Sequence, residues 1–270
     1  MHGDVAGTIT AVGEDAPQFK IGDEVYGCAG GVKGEQGALS EYMLADARLI
    51  AIKPKSITMQ EAAALPLVSI TAWEALVDKL NLKPKQTILI HGGSGGVGHI
   101  AVQLALSLGA TVYTTVSSQE NAKRLSYLPA KQIINYREES VDDYVNRVTG
   151  GKGFDFVFDT VGAKNLETSF KALAHYGTVV TTQANVTIDL SQLHSRSGDL
   201  KTVLMLIPLL FNKNREHHGK ILLEIAKKVD AGEIKPLIYP QSFSFAHVNE
   251  AHELAESGKA YGKIVLRQAD

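Results

Sequence analysis

The stretch HGGSGGVGHIAVQLA, residues 91–105, decides the fold. Five glycines fall within residues 91–98, and a run of good helix formers follows them directly. Because glycine costs conformational entropy on folding, such a cluster needs a reason. The preceding run TILIHG, residues 87–92, is short and apolar, which predicts a buried parallel strand. The segment therefore predicts a strand, a tight glycine turn and a helix over residues 95–108.

Within this turn, the spacing of Gly93, Gly95 and Gly98 matches the pattern G-x-G-x-x-G. The first glycine permits a tight turn, the second lets the backbone approach a pyrophosphate, and the third lets the helix pack on the strand. The N–H groups and the positive dipole end at the start of the helix favour an anion. The pattern predicts a dinucleotide site, and the alternative is a glycine turn that serves only helix packing.

The chain after this turn alternates between helical and extended segments. The expected strands are residues 111–116, 132–136, 154–161, 177–183 and 201–211, and the expected helices are residues 119–128, 140–149, 164–175 and 216–231. Alternation of this kind indicates βαβ crossovers and a mainly parallel, doubly wound sheet of the α/β class.

The two ends of the chain differ from the middle. Residues 1–66 contain short alternating apolar segments between glycine or acidic turns, which predict a small barrel-like β unit; the alternative is an irregular, loop-rich surface segment. Residues 237–270 are predicted to form a strand, a helix and a second strand. We therefore expect a dinucleotide-binding domain at residues 67–236, inserted between two pieces of a β-rich domain.

Composition excludes several classes of protein. The 270 residues are 44% hydrophobic and 21% charged, with a net charge of −2, so no global attraction to nucleic acid or to an anionic membrane is expected. Cys28 is the single cysteine, and the N-terminus lacks the pattern of a secretory signal. The most apolar stretch, residues 202–211, is too short to span a bilayer. These features predict a cytoplasmic protein.

The end of the second strand in such a fold distinguishes NADH from NADPH. An acidic residue there accepts the ribose 2′-OH of NADH, whereas polar or cationic groups suit the 2′-phosphate of NADPH. Ser117 and Ser118 occupy this position. The first carboxylate after the strand is Glu120, and Lys123 and Arg124 follow it. NADPH is therefore favoured over NADH, although the two cations alternatively form only a solvated helix face.

Six segments spread along the chain stand in a characteristic order: HGDVAGTITAVG, FKIGDEVYG, EAAALPLVSITAWEAL, HGGSGGVGHIAVQLA, INYREE and YGKIVL. In this order and spacing they resemble the medium-chain dehydrogenase/reductase superfamily, most closely its quinone oxidoreductase (zeta-crystallin-like) branch. The resemblance implies a Rossmann domain joined to a GroES-like catalytic domain. Members of the family carry a further segment before HGDVAG, so we expect an incomplete GroES-like β-barrel that lacks the N-terminal segment.

The resemblance also bears on zinc. Zinc enzymes of the superfamily carry a His followed by Glu where this chain has Gly3 and Asp4, and a catalytic Cys where it has Leu67. Their structural zinc lobe needs a cluster of cysteines, and this chain has Cys28 alone. Because a tetrahedral zinc site needs three or four N or S donors, we expect no metal site.

Carried over position by position, the resemblance implies a set of cofactor contacts, while no side chain is expected to act as a strict catalytic acid. Thr71 corresponds to a threonine near the nicotinamide and its phosphate. The glycine turn, the 2′-phosphate pocket, the later strand ends and the tail supply the other contacts: Gly93, Ser94, Gly95, Gly96, Val97, Gly98, Ser117, Ser118, Tyr136, Val161, Gly162, Thr181 and Lys263. The family commonly has Lys where this chain has Asn121, which weakens the argument for NADPH unless Lys123 or Lys259 supplies the cation.

Together these features predict a zinc-independent, NADPH-dependent oxidoreductase that transfers hydride to a small-molecule quinone or α,β-unsaturated carbonyl. Pairing of the apolar strand at residues 202–208 would form a homodimer. The alternative is a non-catalytic NADPH-binding or structural member of the family, or an inactive truncated fragment. A hydrolase is rejected because Ser94, in GGSGGVG, is followed by the glycines of the predicted phosphate turn and does not read as a nucleophile elbow.

Overall fold

The computed structural model describes residues 2–268, which form two compact units. The central unit comprises residues 71–204, and the terminal unit comprises the described parts of residues 1–70 and 205–270. Residues 205–236, assigned to the middle domain on sequence grounds, thus pack within the terminal unit. Among the helices of the described residues, none has the length and apolar character needed to cross a membrane.

A six-stranded, all-parallel sheet forms the centre of the central unit, in the strand order β6-β5-β4-β7-β8-β9. Its strands are β4 (Thr87–His91), β5 (Thr111–Val116), β6 (Gln132–Asn135), β7 (Phe154–Asp159), β8 (Leu173–Thr181) and β9 (Asp199–Thr202), and the earlier strands of the chain are β1 (Asp4–Thr8), β2 (Glu24–Cys28) and β3 (Ile50–Ile52). The strand order reverses at β4, which lies between β5 and β7. The predicted doubly wound α/β fold is confirmed.

Helices connect most of these strands, and three of them begin at a residue whose side chain caps the helix. In chain order they are α1 (Met59–Ala63), α2 (Pro66–Trp73), α3 (Gly96–Ser107), α4 (Gln119–Leu125), α5 (Val141–Thr149), α6 (Asn165–Ala172), α7 (Ser191–Ser195), α8 (Ile207–Phe211), α9 (Arg215–Asp230) and α10 (Val248–Glu256). Helix α5 shows the principle: Ser140 and Asp143 form a capping box, and Gly150 ends the helix in the left-handed region. A π-helix, Glu74–Lys79, follows α2 directly.

The terminal unit contains a three-stranded antiparallel sheet in the order β1-β2-β3. Helix α9 packs closely on β3. The absence of a side chain at Gly219 permits this approach, because a Cβ atom there would lie 2.7 Å from the carbonyl oxygen of Arg48. The hydroxyl of the fully buried Tyr26 donates to the carbonyl oxygen of Leu222 at 2.6 Å. These contacts explain why α9 belongs to this unit. The tail adds α10 and a short parallel pair, β10 (Phe243–Ser244) and β11 (Leu266–Arg267).

The expectation of a strand over residues 201–211 is wrong for most of that range. Strand β9 ends at Thr202, and α8 begins at Ile207 with Pro208 in its first turn. A short apolar run has no periodicity that separates strand from helix, and proline at a helix start favours the helix. The proposed dimer strand at residues 202–208 therefore does not exist in this form. Helix α6 also ends earlier than expected, because β8 already begins at Leu173.

Candidate nucleotide-binding site

The carboxyl edge of the parallel sheet gathers most of the residues predicted to contact a cofactor. The glycine turn follows β4, Ser117 and Ser118 follow β5, and Tyr136 follows β6. On the other side of β4, Val161 and Gly162 follow β7, and Thr181 is the last residue of β8. Because all these strands are parallel, their carboxyl ends meet at one edge, beside the reversal of strand order where such sheets bind ligands.

The glycines of the turn are required by the packing of the backbone. A Cβ atom on Gly98 would lie 2.1 Å from the carbonyl oxygen of Gly92, and one on Gly93 would lie 2.1 Å from Oγ1 of Thr114. Gly95 differs, since its Cβ would meet only the Gly92 carbonyl oxygen, at 3.2 Å. A side chain at Gly95 would thus extend into open space that an approaching phosphate needs. This is the asymmetry expected of a phosphate-binding turn.

The start of α3 supplies the donors for such a phosphate. Gly95 is the N-cap residue and, having no side chain, makes no capping hydrogen bond to the helix. The N–H groups of the first turn, at Gly96, Val97 and Gly98, therefore lack the side-chain acceptor that Ser, Thr or Asp would provide. Together with the helix dipole they give this helix start the features that favour an anion. Ser94 precedes them and is buried.

Asn121 organises the end of β5. Its backbone N–H donates to Oγ of Ser118 at 3.2 Å, which caps α4, and its side-chain amide donates to Oγ of Ser117 at 3.0 Å. Both serine oxygens accept in these bonds, so their hydroxyl hydrogens remain available for an anionic acceptor. The amide oxygen of Asn121 accepts from Arg124 at 2.7 Å.

Glu120, close to this strand end, forms an ion pair. Its carboxylate forms an ion pair with Arg124, one helical turn further along α4. The carboxylate nearest to Ser117 and Ser118 in the sequence is therefore held by a cation. Arg124 in turn is committed to Glu120 and Asn121, which differs from the expectation of a cation close to the serines for the 2′-phosphate.

The turn after β7 is held by a buried carboxylate that belongs to no sequence motif. The carboxylate of the fully buried Asp159 accepts the backbone N–H groups of Val161 at 2.9 Å and Gly162 at 2.8 Å. Gly162 adopts a positive φ of 73° and lies against Gln183, where a Cβ would approach to 2.6 Å. The sequence signal for this role is an acidic residue, Asp159, in the last position of an apolar strand.

The two remaining predicted residues come from other elements. Thr71 is buried within α2, and Lys263 belongs to the tail of the terminal unit. The ammonium group of Lys263 pairs with the carboxylate of Asp4 at 3.5 Å, and this carboxylate also accepts the backbone N–H of Leu67 at 2.9 Å. Burial raises the pKa of Asp4, and Lys263 partly opposes the increase.

Cys28 lies beside Asp4 and donates a hydrogen bond to its carboxylate. Burial raises the pKa of this thiol well above its ordinary value, and the neighbouring Asp4 charge raises it further. Cys28 is buried and forms no disulfide. Within residues 2–268, no group of three or more His, Cys, Asp or Glu side chains is arranged to hold a metal ion.

Comparison with known proteins agrees with this geometry. Residues 1–55 match the family described as alcohol dehydrogenase GroES-like domain, and residues 128–266 match the family described as zinc-binding dehydrogenase. The chain is 34% identical over 270 residues to the 2-methylene-furan-3-one reductase of Solanum lycopersicum, covering 97% of this chain but 62% of the tomato protein, less than two thirds of its length.

Two further relatives are quinone oxidoreductases. The human protein is 30% identical over 264 residues, covering 97% of this chain and 78% of its own. The crystal structure of the Escherichia coli quinone oxidoreductase complexed with NADPH superposes with a TM-score of 0.86 at 30% identity, covering 99% of this chain and 82% of that one.

A parallel sheet with a phosphate-type glycine turn at its reversal point defines a Rossmann dinucleotide-binding protein. With its GroES-like segment and these relatives, the chain belongs to the medium-chain dehydrogenase/reductase superfamily, in the quinone oxidoreductase branch.

Proposed function

We propose that this chain is a zinc-independent oxidoreductase that uses NADPH to reduce a quinone or an α,β-unsaturated carbonyl. The observation that carries the proposal is the turn at residues 92–98, in which two glycines are demanded by packing and Gly95 leaves its outer side open. The names of the relatives, a quinone oxidoreductase and a furanone reductase, support the choice of acceptor. Either acceptor is already electrophilic and needs no metal to polarise it.

The residues at the carboxyl edge fit a nicotinamide dinucleotide phosphate. The first-turn N–H groups of α3 would hold the pyrophosphate, while Ser94 and the turn backbone surround it. Ser117 and Ser118, whose oxygens already accept from Asn121, would donate their hydroxyls to the 2′-phosphate. Because Glu120 is paired with Arg124, no free carboxylate in this strand end is offered to the ribose diol of NADH. NADPH is therefore preferred in this proposal.

The remaining predicted contacts would hold the other end of the dinucleotide. Val161, Gly162 and Thr181 stand at the ends of β7 and β8, on the opposite side of β4 from the serine pair. Thr71 and Lys263 complete the proposed set, as does Tyr136 beside the 2′-phosphate. When bound, NADPH supplies a hydride, and the chain's own task is to orient the cofactor and exclude water.

Zinc independence rests on residue identity and on space. At the position where zinc enzymes of the superfamily carry a histidine, a Cβ on Gly3 would lie 2.8 Å from the carbonyl oxygen of Gly30 and 3.1 Å from Sγ of Cys28. No imidazole fits there without rearrangement, and Leu67 offers no donor. A cytoplasmic location and a homodimer belong to the same proposal. Because residues 207–211 form a helix, the proposal no longer assigns the dimer contact to a strand in this segment.

The test is oxidation of NADPH by the purified chain with a simple quinone and, separately, with a simple enone. We expect turnover that a zinc chelator does not reduce, and tighter binding of NADPH than of NADH. Equal affinity for both dinucleotides would contradict the role of Ser117 and Ser118. Saturable NADPH binding without turnover of either acceptor would indicate a non-catalytic member of the family. Folded protein that binds neither dinucleotide would refute the proposal altogether.

A further inference from the structure

Two turns that are proposed to hold the cofactor touch each other through Thr160. The hydroxyl of Thr160, in the turn after β7, donates to the carbonyl oxygen of His91, the last residue of β4, at 2.6 Å. Gly92, which opens the phosphate-binding turn, has a positive φ of 74°, and a Cβ on it would lie 3.0 Å from the same hydroxyl oxygen. Thr160 therefore spans the junction between the two turns.

The turn after β7 is rigidly attached on its own side. One carboxylate oxygen of Asp159 accepts the backbone N–H groups of Val161 and Gly162, and the other accepts the hydroxyl of Ser169 on α6 at 2.9 Å. Asp159 and Ser169 are both fully buried, so these bonds are shielded from water. A displacement of Thr160 would thus be transmitted to the two residues that follow it.

The phosphate-binding turn is attached to β5 in the same way. The backbone N–H of Gly92 donates to Oγ1 of Thr115 at 3.2 Å, and that of Gly93 donates to the Thr115 carbonyl oxygen at 2.9 Å. Nδ1 of His91 lies 3.2 Å from the Thr115 hydroxyl, whereas its buried Nε2 has no hydrogen-bond partner. Burial lowers the pKa of His91, and the charge of Asp159 opposes this decrease.

The strand order determines which half of the cofactor each turn would face. The 2′-phosphate pocket is proposed at the end of β5, and the pyrophosphate turn follows the adjacent β4. Strand β7 lies on the other side of β4, so the turn after it faces the half of the dinucleotide beyond the pyrophosphate, the nicotinamide half. The Thr160 hydroxyl is the direct side-chain link between this turn and β4.

We propose that Thr160 is a positioning residue that sets the nicotinamide half of the cofactor relative to the pyrophosphate, through its hydrogen bond to His91. This inference rests on the function proposed above. The proposal distinguishes the two halves of the ligand. Loss of the Thr160–His91 hydrogen bond impairs recognition of the nicotinamide half and leaves recognition of the adenosine half intact.

The test compares Thr160→Val, which keeps the shape and removes the hydroxyl, with Thr160→Ser, which keeps the hydroxyl. Binding of NADPH and of adenosine 2′,5′-bisphosphate, which lacks the nicotinamide half, is measured by calorimetry. For Thr160→Val we expect NADPH to bind about tenfold more weakly, because the released turn must be ordered when the nicotinamide half binds, with the bisphosphate affinity unchanged. Thr160→Ser should bind both ligands as the wild type does.

Equal weakening of both ligands, or equal losses in the two variants, would overturn the inference, because either result indicates general damage to the fold. Thermal unfolding of each variant without ligand checks that the chain is folded. If Thr160→Val does not fold, Ser169→Ala releases Asp159 from α6 and should give the same selective loss for NADPH. Wild-type protein that binds neither ligand would instead refute the proposed function.

Discussion

The central and terminal units hold their polar groups in contrasting ways. In the central unit, His91 and Asp159 are register partners at the ends of neighbouring strands. The His91 carbonyl and the Asp159 carboxylate accept hydrogen bonds from the turn after β7. In the terminal unit, the guanidinium of Arg215 bridges to Glu35 and Asp46, residues distant from it in sequence. The alternation of strands and helices predicts that these two strand ends lie side by side, whereas only the folded chain reveals the bonds of the two turns and the partners of Arg215.

The guanidinium of Arg215 is nearly buried, and each of its three nitrogens donates a hydrogen bond. Besides its two carboxylate partners, it donates to the carbonyl oxygens of Pro208 at 3.2 Å and Leu209 at 3.3 Å. Its side chain is 10% exposed, whereas the neighbouring Arg48, which also pairs with Asp46, is 51% exposed. The terminal unit therefore offers two cations on one carboxylate in different environments, and the central unit offers glycines in different environments.

The largest effect is expected from breaking the central unit at Gly98. A valine there would place Cβ 2.1 Å from the Gly92 carbonyl oxygen, which the backbone cannot relieve without reshaping the turn. Gly98→Val should abolish NADPH binding and lower the free energy of unfolding by more than about 3 kcal/mol. The control is Gly7→Ala, because nothing lies within 4 Å of a Cβ there. Urea unfolding and calorimetric titration measure both; a variant that binds normally would contradict the packing argument.

The next largest effect breaks the terminal unit. Arg215→Met leaves Glu35 without its buried partner and removes one of two cations from Asp46, so unfolding should become easier by about 3 kcal/mol. Arg48→Met, which removes the exposed partner of the same carboxylate, should cost less than about 1 kcal/mol. Chemical denaturation of the two variants decides the matter, and equal losses would show that burial does not distinguish the two cations.

A smaller effect, dependent on pH, is expected at Asp46. Hydrogen bonds from Arg48, and then from Arg215, hold the pKa of this carboxyl at about 2. Because this lies below the unfolded value, the carboxylate contributes stability above about pH 5 and loses it as pH falls through the folded pKa. Asp46→Asn should therefore cost about 1–2 kcal/mol at neutral pH, after allowance for solvent screening. Unfolding at a series of pH values should show this difference shrinking on acidification; a constant difference would refute the assignment.

The smallest effect is expected at Asp4, with the opposite sign. Burial raises the pKa of this carboxyl, so its ionisation opposes folding and wild-type stability is lost as pH rises through the folded pKa. Asp4→Asn should stabilise the terminal unit at mildly alkaline pH by less than about 1 kcal/mol, because Lys263 offsets part of the cost. Below about pH 4 the gain should vanish, since both residues are then neutral. Thermal unfolding at the two pH values measures this; destabilisation at alkaline pH would mean that Lys263 dominates.

Sequence reasoning succeeds where periodicity and turn chemistry decide the structure. The strand at residues 111–116 is found with the expected bounds, and the glycine spacing places the start of α3 within one residue. Parallel strands then bring residues such as Ser117 and Gly162 to one edge, which follows from the alternation alone. The roles of these residues in cofactor binding remain predictions.

It fails where tertiary packing chooses between local alternatives. The apolar run after Thr202 suits a strand or a helix equally well, and the contacts of Pro208 and Leu209 with Arg215 accompany the helical form. Helix α9 packs on β3, a choice that its own periodicity does not encode. The sequence does not reveal the hydrogen bond of Thr160. A threonine after a strand belongs to no motif, and its partner is a backbone carbonyl 69 residues away.

The most direct test of the account is calorimetric titration of the folded chain with NADPH, alongside Gly95→Val. A Cβ on Gly95 would meet only the Gly92 carbonyl oxygen, at 3.2 Å, so the chain with valine there should still fold while the side chain fills the space proposed for the phosphate. We predict saturable binding of one NADPH to the wild type and none to Gly95→Val, which should still unfold cooperatively in a thermal scan. Undiminished binding to the variant, or no binding to the wild type, would contradict the claim that this turn holds the cofactor.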